Sequence, residues 1–119
     1  MREQISKRFL DFCVCIYRQE KILCKSFSGK HVYQQLFRAG TSAAANYEEA
    51  TSAESKKDFV HKMQVVLKEI REAHFWIRFA IKAKMLPAEN ADTKYLFSES
   101  KELLNIIGKA VSTTKKNMS

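Results

Sequence analysis

Glycine and proline are scarce in this chain: 3 Gly and 1 Pro among 119 residues. A sandwich or barrel needs a turn every ten residues or so, and this sequence has too few breakers to supply them. No apolar run approaches the roughly 18 residues of a membrane span, and no signal-peptide core follows the N-terminal Met1-Arg2-Glu3-Gln4. Cysteine is low and odd in number. Cys13, Cys15 and Cys24 crowd one short stretch, which points away from a disulfide framework and toward a reducing, cytoplasmic setting. Acidic residues are in the minority, at 13 Asp and Glu against 21 Lys and Arg, for a formal net charge of +8.

Signals for chemistry are also missing. The glycines at 29, 40 and 108 are too scattered for a phosphate loop. His31, His61 and His74 have no metal-ligand spacing, and no Glu-x-x-His pair is present, so no metal or cofactor is expected. Cys13 and Cys15 project about 200° apart on a helix, which predicts structural thiols and no ligand pair. No nucleophile has a base beside it in the first helix. The chain is therefore read as a non-enzyme.

What the sequence has in abundance is helical periodicity. Apolar residues make up 45% and charged residues 29%, a globular composition. The length suits one domain over residues 1–119. The first helix is predicted from Glu3 to Cys24, with a stripe of Ile5, Phe9, Phe12, Ile16 and Leu23. Val14 and Tyr17 widen its apolar surface. Ser26, Ser28 and Gly29 signal a turn. A second helix is predicted from Lys30 to Ala50, on a stripe of Val32, Leu36, Ala39, Ala43, Tyr47 and Ala50. Its small-residue middle, Ala39-Gly40-Thr41-Ser42-Ala43-Ala44-Ala45, calls for a deep position between larger partners. The third helix, Glu54 to Met85, opens on Ser52 and Ser55 or on a Thr51-x-x-Glu54 capping box. Its stripe runs Phe59, Met63, Val66, Ile70, Ala73, Ile77 and Ala80. Leu86-Pro87 ends it. Asp92 is the expected N-cap of a fourth helix that runs to Thr114 on a stripe of Leu96, Leu103, Ile107 and Ala110, with a frayed tail after it. Four such helices on short loops predict an all-α, antiparallel up-down-up-down bundle. Around Phe75, Trp76 and Phe79 the third helix is apolar on every side, so part of this group is expected to face another copy.

Asn46 and Glu49 interrupt the small, apolar second helix. They predict either a polar site inside the bundle or a hydrogen-bond network that fixes register, with Arg38, Lys57 or Arg71 as partners. The network is the favoured reading.

The segment Arg38-Ala-Gly-Thr-Ser42-Ala-Ala-Ala-Asn46-Tyr-Glu-Glu49-Ala, followed by Ser55-Lys-Lys-Asp58-Phe59 and Leu67-Lys-Glu-Ile-Arg-Glu72, resembles a small bacterial family. It is known as the four helix bundle protein or 23S ribosomal RNA intervening-sequence protein family. Arg38, Ser42, Asn46, Glu49, Asp58 and Glu72 fall on its polar positions. Ala43, Ala50 and Lys68-Glu69 depart from its usual Ile, Gly and Gly-Ser. The resemblance implies a homopentamer of four-helix bundles. It also implies kinship with the accessory variability determinants of diversity-generating retroelements, which bind a reverse transcriptase and nucleic acid.

Charge and resemblance together lead to the expectation of a basic homo-oligomer associated with RNA or DNA. Arg8, Arg18, Lys21, Lys25 and Arg78 are the expected phosphate contacts. The competing expectation is an adaptor that binds another protein, with the positive charge serving solubility. No membrane is implied as a partner.

Overall fold

A computed structural model describes residues 2–118. It contains five helices: α1 Arg2–Tyr17, α2 Glu20–Leu23, α3 Phe27–Ala50, α4 Lys56–Lys82 and α5 Ala91–Met118. No strand occurs among the described residues, and none of the helices is long and apolar enough to cross a membrane. The body is a rod of 48 × 22 × 22 Å.

The predicted first helix is broken in two. In an unbroken helix the Gln19 N–H would donate to the Cys15 carbonyl. Here the Gln19 side-chain amide takes that carbonyl at 3.0 Å, and the Gln19 backbone N–H donates to Ile16 O at 2.9 Å. This tightens the turn and redirects the chain so that Leu23 is buried in α2. Helix α3 begins three residues earlier than expected. Ser26 is extended, and its hydroxyl accepts from Gly29 N–H at 3.0 Å. Ser28 and Gly29 thus belong to the first helical turn, which leaves Phe27 90% exposed.

Helix α4 is capped at Ser55, one turn beyond the Thr51 N-cap of the predicted capping box. The Ser55 hydroxyl accepts from Asp58 N–H at 3.0 Å, and the Asp58 carboxylate accepts from Glu54 N–H at 3.4 Å. The Thr51 hydroxyl instead donates back to Glu48 O within α3. At its other end α4 stops at Lys82, not Met85. Lys84 adopts φ 62°, and the Met85 and Leu86 N–H groups both donate to Ala80 O. This left-handed closure tucks Leu86 into the core ahead of Pro87. Asp92 is not the cap of α5. The Asn90 side-chain oxygen accepts from Asp92 N–H at 2.8 Å, and the Asp92 carboxylate accepts from the Gln19 amide. Helix α5 continues to Met118, beyond the predicted end at Thr114.

The predicted stripes form the core. Phe9, Phe12, Ile16, Leu36, Met63, Ile70, Ile77, Leu96, Leu103 and Ile107 are almost fully enclosed. Helix α3 lies between α1 and α4, as its small side chains require. Contacting pairs run in opposite sequence order along each neighbouring pair of helices. Ser6 meets Glu48 while Cys13 meets Gly40. His31 meets Trp76 while Arg38 meets Glu69. Arg8 meets Glu99 while Gln19 meets Asp92.

Two glycines permit close approach. A Cβ on Gly29 would lie 1.8 Å from the Leu23 carbonyl oxygen, and a Cβ on Gly40 would lie 2.6 Å from Ile16 Cδ1. At Gly108 the nearest atom would be Leu67 Cδ1 at an ordinary 3.8 Å. We expect Gly29→Ala to destabilise the fold by at least about 2 kcal/mol, because a backbone oxygen has nowhere to go. Gly108→Ala should stabilise it by about 0.5–1 kcal/mol through helix propensity. Denaturant unfolding of the two variants checks the opposite signs.

Candidate functional site

The α1–α2–α3 turns and the α4–α5 loop meet at one end of the rod. There Lys25 and Ser26 share a cleft of about 720 Å³ with Lys84 and Leu86. Residues 18–31 and 78–94 together hold eight Lys and Arg but only three Asp and Glu. This end therefore carries +5 of the chain's +8. The fold gathers charge that is dispersed in the sequence.

Four of the five predicted phosphate contacts belong to these segments. Lys21, Lys25 and Arg78 are exposed, and none has a carboxylate of the described residues within 4 Å. Arg18 is also exposed and stands 3.9 Å from an Asp92 oxygen. Arg8 is placed differently. It lies on the α1–α5 seam, where its Nε and Nη2 grip Glu99 at 2.9 and 2.7 Å and Nη2 also reaches Glu102 at 3.0 Å. Those carboxylates hold its guanidinium charged and occupy its donors. Lys82 and Lys84 join the cationic end in its place. Lys82 is one helical turn beyond Arg78, and that spacing was the available signal.

The six motif residues separate into distinct groups rather than one network. Arg38 spans from α3 to α4, donating from Nη1 to Glu69 at 2.8 Å and from Nη2 to Glu72. The Trp76 indole N–H also donates to Glu72, at 3.2 Å. Glu69, which the sequence reading counted only as a departure from the family pattern, is the buried member of this cluster. Its position one turn before Glu72 places it on the same face. Asn46 does not engage Arg38, Lys57 or Arg71. Its amide donates to Ser42 O at 2.8 Å and Ser42 Oγ at 3.2 Å, within α3. Glu49 points to solvent, whereas neighbouring Glu48 accepts from the Ser6 hydroxyl. Asp58 caps α4 and pairs with Lys62 at 3.2 Å.

Of the expected interface aromatics, Phe75 and Phe79 are 46% and 42% exposed. Trp76 is half-buried beneath them, edge-on to His31 at 5.6 Å. A second apolar stripe, formed by Leu10, Val14 and Tyr17 on the outer face of α1, is more exposed still. Val14 and Tyr17 are the surplus apolar residues of the predicted first helix, and Leu10, four residues before Val14, completes an i, i+4, i+7 stripe with them.

Cys13 and Cys15 are both buried, as expected of structural thiols, and face different neighbours. Cys13 packs against α3 and donates to Gly40 O, while Cys15 faces Gln19. Burial pushes the Cys13 thiol up to about 11 and raises Cys15 as well, which suppresses the reactive thiolate. Among the described residues no three His, Cys, Asp or Glu side chains are placed to hold a metal ion.

The family model described as 23S rRNA-intervening sequence protein matches residues 2–109. The chain belongs to that family. A crystal structure of an S23 ribosomal protein family member from Bacteroides thetaiotaomicron VPI-5482, itself a protein with unknown function, is similar over most of the chain. Its TM-score is 0.80 and its identity 27%, and the alignment covers 90% of this chain and 97% of that one. No curated protein matches. Within this intervening-sequence protein, the motif positions that make contacts serve the scaffold: Arg38 and Glu72 clamp two helices, Asp58 starts one, and Ser42 with Asn46 bond within one.

Hydrogen bonds from Arg38, then Trp76, hold the Glu72 carboxyl below its ordinary 4.5. A carboxyl depressed in the folded state contributes stability above its unfolded pKa, and that stability is lost as pH falls through the folded value. Arg38→Gln should therefore destabilise the protein at neutral pH by about 1–3 kcal/mol, leaving buried Glu69 unpaired. It should also flatten the loss of stability below pH 4.5. Melting temperatures of wild type and variant from pH 7 to pH 3 check both effects.

Proposed function

We propose that this protein is a non-enzymatic, basic homo-oligomer that binds the phosphate backbone of RNA or DNA through its cationic end. The carrying observation is the gathering of +5 net charge there, with Lys21, Lys25 and Arg78 uncommitted to any carboxylate of the described residues. Uncommitted cations can displace condensed counterions at phosphates, whereas a paired cation such as Arg8 must first break its own bonds.

The reversed order of contacting pairs supports an up-down-up-down bundle as the building block. The α1 stripe of Leu10, Val14 and Tyr17 supplies an apolar face for contacts between copies. A pentamer, as the family resemblance implies, would concentrate about +40 of charge in one particle and strengthen its pull on polyanions. Free, buried cysteines suit the reducing cytoplasm. A second reading assigns the α1 stripe to a different protein, such as a reverse transcriptase, with the chain acting as its adaptor. A chain that stays monomeric in solution would favour that use of the stripe.

Binding to labelled RNA and DNA across a salt series tests the first reading. We expect affinity to fall steeply with salt. Neutralising Lys21, Lys25 and Arg78 together to Gln should reduce the log–log slope by about 2–3, since each phosphate contact contributes about 0.7–0.9. An unchanged slope, or no binding even at ~50 mM salt, would remove the cationic end from consideration.

A further inference from the structure

Phe75, Arg78, Phe79 and Lys82 fall at i, i+3, i+4 and i+7 on α4, and so share one face. With Ala83 they line a recess of about 330 Å³. The two phenyl rings stand 6.4 Å apart and tilt by 38°. Both rest on Trp76, whose ring lies 5.0 Å from Phe75 and 5.9 Å from Phe79. The indole N–H is committed to Glu72, which holds the support in place. Both rings thus pack against Trp76 while staying exposed to solvent. The cations beside them are exposed, with no carboxylate of the described residues within 4 Å of Arg78 or Lys82.

Two features favour one occupant over others. Burying this face against an apolar face of another copy, by a two-fold or around a ring, would desolvate Arg78 and Lys82 with no carboxylate of this chain beside them. A duplex offers these cations its phosphates but keeps its base faces stacked inside, so the rings would gain nothing. An unpaired strand offers both: a π-face for each ring and a phosphate for each cation, the pattern of sequence-tolerant single-strand binding. We infer that Phe75 and Phe79 form a stacking platform for the unpaired bases of single-stranded RNA or DNA, with Arg78 and Lys82 on the adjoining phosphates. This rests on the proposed nucleic-acid reading and narrows it to single strands.

The chain has a single Trp, directly under the platform, so its fluorescence reports a base arriving there. The full-length protein is titrated with oligo(U), oligo(dT), an abasic strand of equal length, and a duplex. We expect both base-bearing strands to quench Trp76 and to bind more tightly than the duplex, although the duplex has the higher charge density. The abasic strand should bind without quenching. Phe75→Leu with Phe79→Leu, which keeps the apolar surface but removes the aromatic faces, should abolish the quenching. It should also lower single-strand affinity about tenfold or more. The relative strength of oligo(U) and oligo(dT) reports which sugar is preferred.

Salt-sensitive binding that favours the duplex and is indifferent to the double variant would overturn the platform while leaving phosphate binding intact. Dissociation of an assembly by the double variant, seen by sedimentation, would overturn it too, by showing that the face joins copies. No binding of any strand would overturn both readings.

Discussion

The close approach of α1 to the small-residue middle of α3 is the constraint on which the other parts of the structure depend. With glycine at position 40, the Ile16 side chain occupies space that a Cβ would fill, and the Cys13 thiol reaches the Gly40 carbonyl at 3.3 Å. This contact brings α3 deep enough to touch α1 on one side and α4 on the other. It is repeated at the end of the rod, where Gly29 lies against the Leu23 carbonyl. The second contact folds the α2–α3 turn back toward the α4–α5 loop. Without it, the lysines of those two segments would not converge on one cleft.

Charge follows from this geometry. Along the seams between helices, cations are consumed by carboxylates, Arg8 by Glu99 and Glu102 and Arg38 by Glu69 and Glu72, while within α4 Lys62 is taken by Asp58. Each of the first two joins different helices, so it contributes to register as well as to solubility. At the cationic end the carboxylates run out. The only acids of those segments are Glu20, Glu89 and Asp92, and Asp92 is engaged with Gln19. The uneven field is thus a product of where pairing stops.

Helix identity and core were legible because apolar spacing repeats over several turns. The buried sets of α1, α3 and α4 match the stripes read from the sequence almost residue for residue. Helix ends were less legible, because each depends on one side chain choosing among nearby backbone groups. Gln19 takes Cys15 O, Ser55 takes Asp58 N–H, and Asn90 takes Asp92 N–H. Several Ser, Thr, Asp or Asn residues compete for that role beside Ser55 and Asn90, and at Gln19 the side chain displaces its own backbone N–H. The roles of Arg8 and Glu69 were hidden for a different reason. Both pair with residues at least 31 positions away, and periodicity carries no information about which carboxylate faces which cation.

The central claim is that a polyanion binds at one end of the rod. The most direct measurement is an NMR titration of isotope-labelled protein with a short single-stranded oligonucleotide, following every backbone amide. The account expects the shift changes to concentrate in residues 18–31 and 75–94 and to disappear when salt is raised. Changes centred instead on residues 48–58 at the opposite end, or on Leu10, Val14 and Tyr17 along α1, would contradict it.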